Sequence, residues 1–202
     1  MTKAEFALRL KKACAAVTAA EQELSDIDAR FGDADHGLTM SKIAKAISAA
    51  VDESEGGIQA MLDDAAMAVM VLNGGSAVPL WNTWLDGLQE EAPEGDEIDT
   101  AGIQAIFAKA LEALSDMSGA QVGDKTMMDA LIPASEAIAA YEGDSADELF
   151  AAAAQAAAQG AEATKQFVSK FGRAKSYGEQ TIGTPDAGAT SMAYFFQGLA
   201  RP

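Results

Sequence analysis

The chain has 202 residues, a formal net charge of −17, 49% hydrophobic residues and one cysteine. That length suits a single domain, residues 1–202, with a real core. The charge repels nucleic acid and anionic membrane surfaces, and one cysteine excludes an internal disulfide framework. With no cationic apolar leader and no apolar run near about 18 residues, the sequence predicts a soluble, cytoplasmic protein.

Alanine, leucine and methionine recur at three- and four-residue spacing, and no segment alternates with period two, so every predicted element is a helix. The first follows a Thr2–Glu5 capping box and runs to about Leu24, with Cys14 a buried structural thiol on its apolar face. A second starts near Thr39, a third covers IQAMLDDAAMAVMVL, and a fourth, PLWNTWLDGLQEE, follows the pair Gly74-Gly75. After the acidic connector APEGDEID come a fifth helix over Thr100 to Leu114 and a sixth over Thr126 to Tyr141. A seventh opens on a Ser145–Glu148 capping box and reaches about Lys170. The polar stretch from Phe171 to Ala189 then leads to a last helix over Thr190 to Leu199. The fold class expected is all-α: eight helices in an antiparallel up-and-down barrel or bundle.

Four connections carry groups suited to chemistry. DARFGDADHGLTM places Asp28, Asp33 and Asp35 within eight positions, beside Gly32 and Gly37, and leads straight into a helix. Carboxylates are the hard oxygen donors that hold Mg²⁺, and a helix N-terminus suits phosphate. A metal adjoining phosphate is what phosphoryl transfer requires. Asx turns and a helix cap would use the same residues, and residue chemistry alone leaves both readings open. Two other metal-loop patterns fail. Counted from Asp33, the EF-hand positions for glycine and glutamate hold Leu38 and Ala44, and SDIDARFG is not the apolar strand a phosphatase motif follows. LNGGSAVPLWN, GDKTMMDALIPA and GRAKSYGEQTIGTPDAGA supply further glycine-bearing turns. In an up-and-down bundle these four are the odd-numbered connections, so all four fall at one end.

Those four stretches, in this order and spacing, resemble the nucleotide-binding L subunit of dihydroxyacetone kinases over nearly the whole chain. The resemblance implies a helical barrel that binds ADP or ATP at one end through two Mg²⁺ ions. It implies that Asp28, Asp33 and Asp35 hold the metals and that His36, Gly37, Leu38 and Thr39 line the phosphates. Ser76, Ala77, Met127, Arg173, Asp186, Ala187 and Gly188 would complete the pocket, with Arg173 and His36 at the reacting groups. The partner it implies is a K subunit that carries the ketose covalently on a histidine. In one branch a phosphotransferase-system M subunit recharges bound ADP; in the other, ATP is an ordinary substrate. A kinase subunit for another short ketose, or a regulatory module docking on a transcription regulator, fits the same resemblance.

The chain departs from the family pattern at several places. Ala77 and Val78 stand at a usual serine and glycine, Asn82 at a glycine, Gln180 at an arginine and Thr184 at a histidine, and Lys175-Ser176-Tyr177 replaces Ser-Tyr-Leu. A β-branched residue tolerates positive φ poorly, so Val78 predicts an altered turn or a narrower pocket.

Overall fold

The computed structural model describes residues 1–201. Nine α-helices follow one another: α1 (Lys3–Ala19), α2 (Glu21–Asp28), α3 (His36–Glu53), α4 (Ile58–Met70), α5 (Ala77–Glu90), α6 (Thr100–Ser118), α7 (Met128–Ala139), α8 (Ala146–Ala163) and α9 (Ala187–Leu199). No strand occurs among the described residues, where the only β pairing is the bridge Thr2–Glu97. Helix packing closes a cycle: α1 on α3, each later helix on its successor, and α9 back on α1. The buried residues form one core, centred on an aromatic group from α5, α6, α8 and α9. Trp84 meets Trp81 and Phe195 edge-on with ring centroids 5.5 Å away, and Phe107 at 6.0 Å, a geometry that favours the ring quadrupoles.

The Thr2–Glu5 box caps α1 in both directions. The expected box at Ser145 is only half formed. Glu148 N–H donates to Ser145 Oγ, but the Glu148 carboxylate accepts from the Tyr141 hydroxyl instead of the cap backbone. The first predicted helix is two helices. Thr18 Oγ1 donates back to the Cys14 carbonyl, a bond that bends helices, and the chain turns at Ala20. Gly37 then lies so close to α2 that a Cβ there would overlap the Glu21 carbonyl. This close approach of α3 sets the direction of α2, and with it the place of Asp28 at its end.

Other boundaries moved for local reasons. The last helix starts at Ala187, because the Asp186 side chain caps it by accepting from Ala189 N–H at 2.7 Å. The seventh predicted helix stops at Ala163, and two 3₁₀ segments, Thr164–Gln166 and Arg173–Thr181, order the polar stretch after it. Pro133 sits inside α7 and cannot bond the Asp129 carbonyl. Gly160 of α8 packs against that carbonyl, where any Cβ would overlap it.

Candidate functional site

A cavity of about 680 Å³ opens at one end of the helices, walled by all four of the singled-out connections. The agreement of loop parity in the sequence therefore corresponds to a shared place in the fold.

The first wall is the loop between α2 and α3. Asp28 ends α2, and Gly32 N–H donates to its carbonyl at 2.6 Å. The chain can fold back this tightly because position 32 has no Cβ, which would overlap Asp28 Oδ1. Ala34 holds φ +63°, costly for any residue with a Cβ and tolerated where surroundings over-determine the backbone. The result is that one carboxylate oxygen from each of Asp28, Asp33 and Asp35 lies within 4.8 Å of the others. Asp35 is the N-cap of α3, yet its side chain makes no capping bond. Burial, then the charges of Asp33 and Asp28, push its pKa above the usual carboxylate range, and Arg173 pulls it back. Asp28 Oδ2 is buried without a hydrogen-bond partner. A carboxylate with a buried, unpaired oxygen beside two further carboxylates offers open oxygen donors, so the donor set fits a hard divalent ion.

The start of α3 differs from the expected one. The helix begins at His36, and Thr39 N–H bonds the Asp35 carbonyl, so the N–H groups of residues 36–38 precede the intrahelical ladder. His36 and Thr39 line the cavity, whereas Gly37 packs on α2 and the Leu38 side chain is half exposed outside it. His36 Nε2 lies 3.2 Å from Ser191 Oγ. Burial lowers its pKa, against the pull of Asp28, which favours a neutral ring.

Ser76 and Ala77 line the second wall, and α5 starts at Ala77, earlier than the expected Pro79. Val78 is therefore a first-turn helical residue without positive φ. It is buried, packs toward Gly74, where a Cβ would come 2.6 Å from its Cγ2, and lies outside the cavity lining. The expected strain at this position is absent. Asn82 donates to the Ala66 carbonyl at 2.9 Å, bridging α5 to α4.

Lys125, Thr126 and Met127 belong to the third wall. Thr126 Oγ1 accepts from Met128 N–H at 3.2 Å in the first turn of α7, although Met127 is the N-cap residue. Asp129, fully buried, shapes this turn by accepting from Gly123 N–H at 2.6 Å and Thr126 N–H at 2.7 Å. Lys125 has φ +61° and is 4% exposed. Neither residue stood out in the sequence, because their partners lie in turns and in a distant connection.

The fourth wall carries Arg173, Asp186, Ala187 and Gly188. Arg173 Nη2 lies 2.7 Å from Asp33 Oδ2 at the cavity mouth. Asp186 is pushed up to about 7 by burial, with Asp129 adding to the rise and Lys125 opposing it. Gln180 is exposed and does not line the cavity, and Thr184 is buried with its carbonyl turned to Lys125. Apolar surface from Leu80, Trp81, Met117, Ala120 and Met127 makes up much of the remaining lining.

Comparison with known proteins gives concordant matches. The chain matches the DAK2 domain family over residues 30–201. It is 39% identical to a D-erythrulose kinase of Mycolicibacterium smegmatis over 88% of this chain, and spans about a third (32%) of that protein's length. It is 30% identical to the ADP-binding subunit DhaL of a PEP-dependent dihydroxyacetone kinase of Listeria innocua, covering 89% of this chain and 86% of that one. The fold superposes on the dihydroxyacetone kinase of C. freundii solved with AMP-PNP and Mg²⁺, with a TM-score of 0.77 and 25% identity, over 98% of this chain and 33% of that one.

Proposed function

The chain belongs to the DAK2 domain family, and we propose that it is the Mg-nucleotide-binding part of a kinase for a three- or four-carbon ketose, the ketose being held by a separate K-type subunit. The observation that carries this reading is the carboxylate triad, with Asp28 Oδ2 buried and unpartnered, in the lining of a cavity large enough for a nucleotide.

Asp28, Asp33 and Asp35 would hold magnesium, two ions if the family pattern is kept. When bound, the metal neutralises phosphate charge and stabilises the charge spread over the transferring group. The start of α3 would receive phosphate on N–H groups that no helical carbonyl occupies, aided by the helix dipole. His36, kept neutral by burial, would donate or accept a hydrogen bond there without adding charge. Ser76, whose hydroxyl is not committed to a cap, and the Asp186-Ala187-Gly188 turn would fix the nucleotide's orientation. The apolar surface around Leu80, Met117 and Met127 suits the base. Arg173, whose guanidinium rests on Asp33 at the mouth, is the cation placed to meet a phosphoryl group in transit.

Erythrulose is favoured over dihydroxyacetone as acceptor by the identities, 39% to a D-erythrulose kinase against 30% to a DhaL subunit. The donor is either bound ADP recharged by a phosphotransferase-system M subunit, a route in keeping with the Listeria relative being the ADP-binding subunit of a PEP-dependent kinase, or ATP. A non-catalytic regulatory module, which an altered glycine turn at Val78 would favour, finds less support, since Val78 lies outside the cavity lining.

Titration calorimetry with ADP or ATP, each with and without Mg²⁺, tests the binding step. Mixing the chain with K-type subunits, erythrulose or dihydroxyacetone, and either ATP or a phosphoenolpyruvate relay tests the transfer. No Mg-dependent nucleotide binding would overturn the reading, and ketose turnover by this chain alone would overturn the separate acceptor subunit.

A further inference from the structure

Lys125 has no place in the chemistry just described, yet it is among the least expected residues in the fold. Its side chain is buried, its backbone sits at φ +61°, and it makes no ion pair among the described residues. Its Nζ donates to the Thr164 carbonyl at 2.6 Å and to the Thr184 carbonyl at 2.5 Å. Those two carbonyls mark the two ends of the long connection between α8 and α9. Asp129, and Asp186 when ionised, oppose the cost of burying its charge.

Further bonds cluster at this neck. Gly183 N–H donates to the Lys165 carbonyl at 2.7 Å, Asp186 N–H to Thr164 Oγ1 at 2.9 Å, and Ser169 N–H to Thr181 Oγ1 at 3.0 Å. Farther out the connection is held differently. Arg173 meets Asp33, Phe31 meets the Tyr177 ring with centroids 5.1 Å apart, and Arg173, Lys175, Ser176 and Tyr177 are all exposed. A buried charge bonded to two carbonyls is a strong fixed point, since charge-assisted hydrogen bonds gain strength where water is excluded. Exposed pairs are weak ones.

We propose that Lys125 is a positioning residue whose buried ammonium staples both ends of the α8–α9 connection, so that Arg173 at its outer part is presented to Asp33 and to whatever the carboxylates hold. The staple itself stands on geometry; its consequence for nucleotide rests on the functional reading above. Lys125→Met keeps the aliphatic stem and removes both hydrogen bonds.

Two measurements decide it. The first is a cycle of Mg·ADP affinities for the unmodified chain, Lys125→Met, Arg173→Ala and the double variant. Lys125→Met is expected to weaken binding about tenfold, and Arg173→Ala about tenfold alone but less than about twofold in the Lys125→Met background. Penalties that simply multiply would overturn the proposal, because a merely structural lysine is independent of Arg173. The second is amide hydrogen exchange without nucleotide. Ser169, Gly183 and Asp186 should lose at least about tenfold protection in Lys125→Met while α4 and α5 keep theirs, and unchanged neck protection overturns the staple. If the variant does not fold, exchange in the unmodified chain decides: the neck amides must be slower than those of residues 173–177, and equal rates defeat the idea. A chain that binds no Mg·ADP at all refutes the functional reading, and the staple is then judged by exchange alone.

Discussion

Arg173 and Asp33 meet across the mouth of the cavity, guanidinium nitrogen to carboxylate oxygen at 2.7 Å, although they come from opposite ends of the chain. Both side chains are substantially exposed, at 71% and 37%, and exposed pairs contribute only about 0–1 kcal/mol. Arg173→Ala should therefore leave the melting temperature of the nucleotide-free protein within about 3 °C of the original. A loss of about tenfold or more in Mg·ADP affinity is expected, the scale of a charge-assisted hydrogen bond. Scanning fluorimetry and calorimetry on the same preparation separate the two. A large loss of stability with unchanged affinity would make the arginine a structural clamp.

Asp28→Asn addresses the triad from its least exposed member. Asp28 Oδ2 makes no hydrogen bond that an amide would lose, and its carboxylate lies beside those of Asp33 and Asp35. Removing its charge should leave the metal-free melting point unchanged or slightly raised. The rise on adding Mg²⁺ and nucleotide together, expected for ligands that bind only the folded state, should vanish. An increment equal to that of the unmodified chain would exclude Asp28 as a ligand.

Two glycines distinguish placing the site from holding the fold. A Cβ at Gly37 would overlap the Glu21 carbonyl and crowd Ser25, while one at Gly198 would overlap Ala13 of α1. Each alanine substitution should cost about 1–3 kcal/mol by overpacking. Only Gly37→Ala should also weaken Mg·ADP binding, since it displaces α2 and Asp28 at its end. Circular-dichroism melts matched with titrations at a temperature where both variants are folded provide the comparison.

Val78→Gly would restore the residue usual in the related family, and the structure gives the opposite of the sequence expectation. Val78 is buried in the first turn of α5 with an unstrained backbone. Losing its side chain and gaining a helix glycine should cost about 2–3 kcal/mol and leave affinity unimproved. Denaturant titration and calorimetry check this. Asp28, Asp33 and Asp35 were legible because their closeness follows from local spacing and from glycines that permit a tight loop. The meeting of four connections was legible because helix parity is a counting argument. The bend at Ala20, the early start of α5 and the roles of Lys125 and Asp129 were not. Each depends on partners remote in the chain, such as Gly37 against α2 or Thr184 against Lys125.

Asp186 gives the protein a pH dependence whose sign can be worked out. Burial raises its pKa from 3.8 to about 7, so the folded chain binds this proton more tightly than the unfolded chain. Its contribution to stability is complete below the ordinary aspartate range and is lost as pH rises through about 7. His36 acts in the other sense, because burial lowers its pKa and stability is lost as pH falls through the imidazole range. The net slope mixes both, so the informative quantity is the difference between the unmodified chain and Asp186→Asn. Asparagine keeps an oxygen to accept from Ala189 N–H while removing the titration. Measured without nucleotide or metal, the melting temperature of the unmodified chain relative to Asp186→Asn should rise by several degrees from pH 8 to pH 5, at about 2–4 °C for each kcal/mol. Parallel profiles for the two proteins would show that Asp186 titrates as an ordinary carboxylate, and the cavity would then keep a charged aspartate at the start of α9 throughout the neutral range.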